Sequence, residues 1–295
     1  NTLGFRDARV LSDSIWREED GDMMIQINVE EGDRYFFRNI AWKGNSIYDT
    51  QTLTDVLGIT AGDVYNQELL ETRLRFSQDG RDVSTLYMDN GYLFFQVDPI
   101  EVAIDEDSID LEIRIFEGPQ ASIDKVVIKG NDRTHEHVVR RELRTRPAAK
   151  FSRSDIIRSQ REIINLGYFN PEALGINTPV NPQRGSVDIE YAVEEKPSDQ
   201  LELSAGWGGN RRVIGTLGVS FNNFSLRNIF NKSAWHPLPQ GDGQRLSLRA
   251  QTNGDFFQSY NISFTEPWLG GKKPNSFTVS GFYNRFAFGQ RGTTT

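Results

Sequence analysis

The sequence of 295 residues contains no cysteine, which excludes a disulfide framework, a thiolate nucleophile and a cysteine-ligated zinc site. Histidine is scarce too, since His135, His137 and His236 are the three in the chain. No apolar run approaches the roughly 18 residues that a membrane-spanning helix needs. The formal net charge of −8 has the wrong sign for a dedicated nucleic-acid-binding protein. With no phosphate-binding glycine loop or nucleophile elbow either, we expect no enzyme, no cofactor and no nucleic-acid partner.

Charge and composition change sharply along the chain. Residues 1–198 hold 36 acidic and 23 basic side chains, whereas residues 199–295 hold 5 acidic and 10 basic ones. The second part also contains 15 of the 33 aromatic residues and 13 of the 26 glycines. This shift predicts a domain boundary near Lys196–Pro197.

Short motifs recur in a fixed order in the acidic part. Glu31-Gly32 recurs as Glu117-Gly118, and Gly44-Asn45 recurs as Gly130-Asn131, in both cases after 86 residues. A glycine followed by an aromatic residue occurs at Gly4-Phe5, Gly91-Tyr92 and Gly167-Tyr168. Such self-similarity at a fixed interval is the signature of an array of structural repeats.

Each repeat has the hydrophobic pattern of one strand, two helices and two further strands. The unit therefore reads β-α-α-β-β, with a kink or insertion expected near Gly80 in the second helix of the middle repeat. We expect an α+β fold in which residues 1–33 are the C-terminal part of one repeat, with further repeats upstream. Residues 34–118 and 119–197 are then two complete repeats, and residues 198–295 are a separate β region.

The last region contains five segments in which apolar and polar residues alternate over about nine positions, the length of a tilted membrane strand. One face would be apolar, and the other is almost entirely Ser, Thr, Asn, Gln, Gly and Arg, with Phe282 as the exception. A soluble β-sandwich also has alternating strands, but its apolar side chains face an interior between two sheets, and it needs no further apolar surface. The pattern therefore favours the first strands of an antiparallel transmembrane β-barrel. Because the smallest such barrels have about eight strands, we expect more strands beyond residue 295.

Aromatic residues also cluster where these strands should end. An aromatic girdle at the membrane boundary is predicted from them. Its expected members are Phe224, Trp268, Phe286 and Phe288.

This order of repeats and strands resembles the family of outer-membrane β-barrel assembly proteins, whose periplasmic repeats are called POTRA domains. The motifs that carry the resemblance are Gly4-Phe5-Arg6-Asp7-Ala8-Arg9-Val10, Val29-Glu30-Glu31-Gly32, Gly44-Asn45, Val193-Glu194-Glu195-Lys196-Pro197 and Phe264-Thr265-Glu266-Pro267-Trp268. The turn at 266–273 is similar to that of members from Bacteroidota. The chain departs from the family in lacking its Arg-Gly-aromatic barrel loop and in having a longer turn at 228–243.

The resemblance implies a non-enzymatic protein of the Gram-negative outer membrane, with its repeats in the periplasm. It would fold and insert client outer-membrane proteins. The implied partners are nascent outer-membrane proteins, accessory assembly lipoproteins, periplasmic chaperones and outer-membrane lipid. Two alternatives stay open: a two-partner-secretion type transporter of the same superfamily, and a soluble periplasmic scaffold with a β-sandwich tail.

Two strand edges are the candidate sites for clients, because an unpaired strand edge can template an incoming strand. By the resemblance, the first barrel strand forms one side of a lateral gate, with glycines that either weaken it or only relieve crowding in the lumen. Its residues are Leu201, Leu203, Ala205, Gly206, Trp207, Gly208 and Gly209. In the middle repeat, the expected free edge follows the second helix and continues through Glu101–Ile104, with Pro99 blunting it. Its first residues are Tyr92, Leu93, Phe94, Phe95, Gln96 and Val97. A merely solvated edge is the alternative there.

A possible metal pair is the segment His135-Glu136-His137, which lies beside a predicted helix N-cap. A metal site needs at least a third ligand from the protein, and none is evident in the sequence nearby. We therefore predict no metal site and no catalytic residue.

Overall fold

The computed structural model describes residues 3–18, 20–181, 183–208, 212–235, 238–254 and 257–287. The chain divides into two compact units. One comprises residues 1–124, 147–156 and 180–187, and the other comprises residues 125–146, 157–179 and 188–295. Within the described ranges, every helix is too short or too polar to cross a membrane.

The first unit opens with a hairpin and continues with a complete repeat. The hairpin strands β1 (Arg9–Arg17) and β2 (Met23–Glu30) pair antiparallel, and their side chains are exposed on both faces. The repeat consists of β3 (Phe36–Lys43), α1 (Thr50–Leu57), α2 (Gln67–Arg75), α3 (Val83–Met88), β4 (Gln96–Asp105) and β5 (Ser108–Phe116). Its sheet has the order β3-β5-β4, with β5 parallel to β3 and antiparallel to β4.

Three helices, and not the two expected, cover this sheet. The kink or insertion expected near Gly80 is a break between two helices, because α2 ends at Arg75 and α3 begins at Val83. The carboxylate of Asp82 starts α3 by accepting a hydrogen bond from the Thr85 N–H at 2.7 Å, and it also accepts one from the Ser77 N–H at 2.9 Å. A buried aspartate thus caps a new helix and holds the intervening turn, an arrangement typical of helix N-termini.

The core of the repeat lies between these helices and the sheet. Side chains from every helix and strand of the repeat contribute to it, in the spacing expected for one buried face per element. Its largest fully buried members are Phe37, Leu53, Leu57, Ile59, Leu74, Tyr87, Ile109, Leu111 and Ile113.

The last repeat consists of β6 (Ser122–Lys129), α4 (Glu136–Arg140), α5 (Arg153–Asn165), β7 (Gly175–Asn177), β8 (Val180–Asn181) and β9 (Ser186–Ala192). Its sheet has the order β6-β9-β7, and β8 also pairs with β9. The division between the two units passes through this repeat.

The recurring Gly-Asn and Glu motifs make equivalent loop contacts in both repeats. A Cβ on Gly44 would lie 2.2 Å from the Ile115 carbonyl oxygen, and one on Gly130 would lie 1.9 Å from the Val193 carbonyl oxygen. Both glycines also have φ near +90°, where other residues are strained. Each Asn side chain then donates to a carbonyl three residues later. Close backbone approach therefore explains why glycine recurs at these positions.

A glutamate closes each of these Gly-Asn loops. Glu117 accepts hydrogen bonds from the N–H groups of Ser46 and Ile47 at 2.7 and 2.8 Å. Glu195 accepts from the N–H of Thr134 at 2.6 Å and from that of Arg133 at 3.0 Å. The loop amides and the ordered carboxylate therefore satisfy one another, which is why glutamate accompanies the glycine motif.

The final region is a five-stranded antiparallel meander. Its strands are β10 (Gln200–Gly208), β11 (Arg212–Phe224), β12 (Gln244–Thr252), β13 (Phe257–Glu266) and β14 (Phe277–Phe286), paired in sequence order. Strands of nine to thirteen residues with period-two alternation produce two faces of different chemistry.

Candidate functional site

Strand β4 forms one edge of the sheet in the first complete repeat. Within the described chain it pairs with β5 alone, so its outer backbone groups face away from the sheet. Exposed apolar side chains lie along its second half, with Val102 at 52% exposure and Ile104 at 45%. A bulge interrupts the pairing between Glu101 and Ala103. Such an edge is a surface to which another strand can add.

The first part of the predicted edge is wrong, whereas its second part, Glu101–Ile104, lies within β4. The structure contradicts a strand at Tyr92–Phe95, because these residues form a turn and β4 begins at Gln96. The ring of Phe95 stacks on Tyr87 with centroids 4.2 Å apart, and Val97 is buried in the core. The apolar run therefore anchors the turn to the helices, and the accessible edge lies further along β4.

The middle of β4 is held by the segment that precedes the hairpin. The Arg6 guanidinium donates to Glu101 at 2.8 Å, and the Tyr65 hydroxyl donates to the same carboxylate at 2.9 Å. Burial, followed by the hydrogen bond to Glu101, raises the pKa of Tyr65, so the hydroxyl stays a donor. These hydrogen bonds to Glu101 make the middle of the β4 edge less accessible to an incoming strand than its ends.

One face of the five-stranded sheet is apolar and exposed. The register aligns Leu203, Leu217, Ala250, Tyr260 and Tyr283 in one row across all five strands. Leu203 is 72% exposed, and the other three large side chains of the row are also exposed. A soluble β-sandwich would cover such a face with a second sheet, whereas here the face is open in the described part of the chain.

The opposite face is polar and cross-linked by hydrogen bonds. The hydroxyls of Ser220 and Ser247 lie 2.9 Å apart on neighbouring strands. Arg249 and Glu202 form an ion pair of 2.9 Å across the same face. Phe282 lies on this polar face by its register position, opposite Asn261.

Strand β10 is the free edge of this sheet that contains the predicted gate residues. Leu201, Leu203, Ala205, Gly206, Trp207 and Gly208 all lie within it, and Gly209 falls outside the described residues. In the described chain β10 pairs with β11 alone. A Cβ on Gly206 would meet nothing within 4 Å, so crowding does not require glycine there.

The structure disperses the predicted aromatic girdle. Phe224 is buried against Phe264, with ring centroids 6.3 Å apart, so it is not at a lipid boundary. Phe286 lies opposite Phe257 where β13 and β14 pair, and the two rings are in contact. Because side chains alternate along β14, Phe286 lies on the polar face, as Phe282 does. Phe288 falls outside the described residues. These aromatic residues share strand ends, as expected, but their side chains do not form one exposed belt.

Trp268, the fourth predicted girdle residue, binds the last repeat. Its indole N–H donates to the Glu142 carboxylate at 2.8 Å, and the Arg141 guanidinium lies over its ring at 5.4 Å. Burial raises the pKa of Glu142. Trp268 therefore acts here as an anchor between the repeat and the β13–β14 turn.

The connection between β11 and β12 docks on the same repeat, and nothing in the sequence indicated it. Asn223, at φ +60°, donates to the Thr134 hydroxyl at 2.9 Å. Its own side-chain oxygen accepts from the Gly243 N–H at 2.9 Å. The N–H of His135 donates to the Gly241 carbonyl at 2.9 Å. The sheet is thus joined to the last repeat through the β11–β12 connection and the β13–β14 turn.

The histidine pair singled out in the sequence lies at this docking point. Nδ1 of His135 is 2.8 Å from a carboxylate oxygen of Asp242, in the β11–β12 connection. The two imidazole rings are stacked with centroids 5.7 Å apart. Burial lowers the pKa of His137, and the charge of Arg141 adds to that effect.

The comparisons with known proteins agree with this architecture. The POTRA family, described as surface antigen variable number repeat, matches residues 35–118 and 121–196. The outer membrane protein assembly factor BamA of Neisseria meningitidis serogroup B is 28% identical over 269 residues, which are 90% of this chain and 31% of that protein. The putative outer membrane protein assembly factor of Treponema pallidum is 25% identical over 275 residues, 91% of this chain and 30% of that protein. The crystal structure of BamA from Haemophilus ducreyi lacking POTRA domains 1–3 has a TM-score of 0.65 at 22% identity, covering 85% of this chain and 43% of that one.

The chain spans about 30% of the length of the two curated relatives. At 22% identity, the likeness to the solved structure establishes the fold alone. The family match covers more than half of the chain, and the two matched segments contain the two sets of repeat elements described above. The resemblance drawn from the motifs is confirmed: the chain belongs to the POTRA family.

Proposed function

We propose that this protein is an outer-membrane protein assembly factor with its repeats in the periplasm. Its repeats would be 34–118 and 119–197, preceded by part of another at 1–33, and residues 198–295 would begin a transmembrane β-barrel. The observation that carries the proposal is the two-faced sheet, apolar and exposed on one side and polar and hydrogen-bonded on the other. Exposing the apolar face to water is unfavourable, whereas contact between that face and lipid acyl chains is not.

Relatives support the same assignment. The relatives from Neisseria meningitidis and Treponema pallidum both carry names that include outer membrane protein assembly factor. Residues 1–197 are two thirds of the chain, so a structural match over 85% of it must include part of the sheet. In lipid, an open sheet with unpaired edges is not tolerated, so the outer edges of these five strands would have to be paired there.

A mechanism follows from the unpaired edges. A client strand that adds to β10 gains about 1 kcal/mol per hydrogen bond in water. In lipid the same groups left unpaired cost several kcal/mol, so pairing there becomes strongly favourable. Because the contact is made by backbone, it tolerates many client sequences. The edge of β4 would hold clients earlier by the same chemistry, and the family's accessory lipoproteins and periplasmic chaperones would deliver them.

The two alternatives differ in what they predict. A soluble scaffold with a β-sandwich tail requires the apolar face to be covered, and its described side chains are exposed instead. A two-partner-secretion type transporter would export one client and would not insert several unrelated barrels into vesicles. The proposed assembly role is non-enzymatic. An origin in Bacteroidota stays a prediction.

Site-specific cross-linking tests the gate because the chain has no native cysteine. We expect Ser204→Cys on β10 to form disulfides with single-cysteine client strands during assembly. Ser247→Cys is the matched control, since it lies on the same polar face as Ser204 and β12 is flanked by β11 and β13. Equal cross-linking at both positions would refute strand pairing at β10.

The same design tests the repeat edge. Val102→Cys on β4 should capture clients, whereas Arg114→Cys on the central strand β5 should not. As a functional readout, deletion of Leu201–Gly209 should abolish insertion of client barrels into reconstituted vesicles while the repeats stay folded by circular dichroism. Unchanged insertion by the deletion variant would remove the gate assignment.

A further inference from the structure

Three side chains converge at the joint between the last repeat and the sheet: two from the start of α4 and one from the β11–β12 connection. Nδ1 of His135 lies 2.8 Å from Oδ1 of Asp242, and Nε2 of His137 lies 3.7 Å from the same oxygen. All three ligand-type atoms lie within 4.8 Å of one another. Ligands around a tetrahedral zinc ion are about 3.3 Å apart, given the usual zinc–nitrogen and zinc–oxygen distances. Small side-chain rotations would therefore bring the three atoms onto one ion.

The carboxylate of this cluster is held in place by the fold. The Asp242 side chain is only 8% exposed, and its second oxygen accepts a hydrogen bond from the Ser225 hydroxyl at 2.6 Å. Ser225 is itself fully buried. Outer partners of this kind orient metal-binding carboxylates and raise affinity. In the described part of the chain, the charged partners of Asp242 are the two histidines.

The histidines provide access for an ion. Their side chains are 45% and 54% exposed, so an ion could enter from solvent and keep a water molecule as its fourth ligand. Two imidazole nitrogens, one carboxylate oxygen and one water form a donor set suited to zinc. The charges of Arg141 and Arg227 act on His137 and oppose a cation, so we expect micromolar rather than nanomolar affinity.

We propose that His135, His137 and Asp242 bind one zinc ion, which fastens the start of α4 to the β11–β12 connection. The two segments already share hydrogen bonds from His135 N to Gly241 O and from Asn223 Nδ2 to Thr134 Oγ1, both 2.9 Å. The ion would add a cross-link whose stabilising effect grows with zinc concentration. The site concerns the attachment of the sheet and does not depend on client binding.

Metal titration of the purified protein tests the site. Co²⁺ should give the visible d–d absorption of a four-coordinate site, saturating at one equivalent, and Zn²⁺ should abolish it. Zinc affinity is then measured by competition with a chromophoric chelator. We expect His137→Gln and Asp242→Asn each to weaken zinc binding at least about tenfold, and Ser225→Ala to weaken it by about tenfold through the lost carboxylate partner. His236→Gln is the control, because it removes the remaining histidine of the chain.

His137→Gln is the decisive variant, since His137 lies 3.7 Å from Asp242 and its loss keeps the hydrogen bond of His135. Circular dichroism should show an unchanged fold, while the zinc-dependent rise in melting temperature disappears. Absence of saturable binding at micromolar zinc, wild-type affinity in His137→Gln, or an equal loss in His236→Gln would each overturn the proposal.

Discussion

The Gly-Asn loop allows a sharp test of how the repeat is built. Gly44 and Gly62 lie in the same repeat with nearly equal φ angles of +87° and +92°. A Cβ on Gly44 would lie 2.2 Å from the Ile115 carbonyl oxygen, whereas a Cβ on Gly62 would meet nothing within 4 Å. Gly62→Ala therefore measures backbone strain alone, and Gly44→Ala measures the same strain with a backbone clash added.

The expected costs follow from those two contributions. A left-handed backbone conformation costs an alanine about 1–2 kcal/mol. Forcing an extra methyl group against packed neighbours costs about 1–3 kcal/mol more. Gly62→Ala should thus destabilise the repeat by about 1–2 kcal/mol, and Gly44→Ala by about 2–5 kcal/mol. If the two variants differ in stability by about 1 kcal/mol or more, the ratio of closed to open repeat differs between them at least about fivefold.

Native-state hydrogen exchange of the β5 amides is the appropriate measurement, because a chain of several repeats need not unfold in one step. Faster exchange should be confined to the first complete repeat in both variants and should be much larger for Gly44→Ala. Equal exchange in the two variants would refute the reasoning, since it would mean that close approach to Ile115 does not select glycine.

Three further predictions concern burial, pH and the membrane. Asp82→Ala should destabilise α3 by about 2–4 kcal/mol, because it removes a helix cap and leaves the Ser77 N–H without its partner, and exchange of the α3 amides would report it. The Arg38 guanidinium lowers the pKa of Asp110 from its ordinary 3.8 to about 2, so this carboxylate contributes stability that is present above pH 3.8 and is lost as the pH falls through 2. Asp110→Asn should therefore flatten the decline in melting temperature between those pH values, and an unchanged decline would contradict the assignment. If the apolar face meets lipid, Leu248→Lys should cost about 2–4 kcal/mol in urea titrations of vesicle-folded protein, whereas Gln251→Lys on the polar face should cost much less.

The repeats and the alternating strands could be predicted because their signals are local. Gly44 and Gly130 are set by a backbone angle and one close contact, and the same need recurs once per repeat. The two chemical faces of the sheet follow from period-two alternation, to which Phe282 is the exception already marked in the sequence. Boundaries were less secure, since the apolar residues of 92–95 suit a strand and a buried turn equally well.

The sequence by itself determined that this chain is an array of α+β repeats followed by a two-faced sheet. The tertiary structure alone decided which residues meet at the joint between them. Trp268 was expected at a lipid boundary and binds Glu142, 126 positions away. Asp242 completes the cluster begun by His135, 107 positions earlier. Contacts of this kind depend on how turns dock against a neighbouring element, and neither residue spacing nor hydrophobic period encodes that docking.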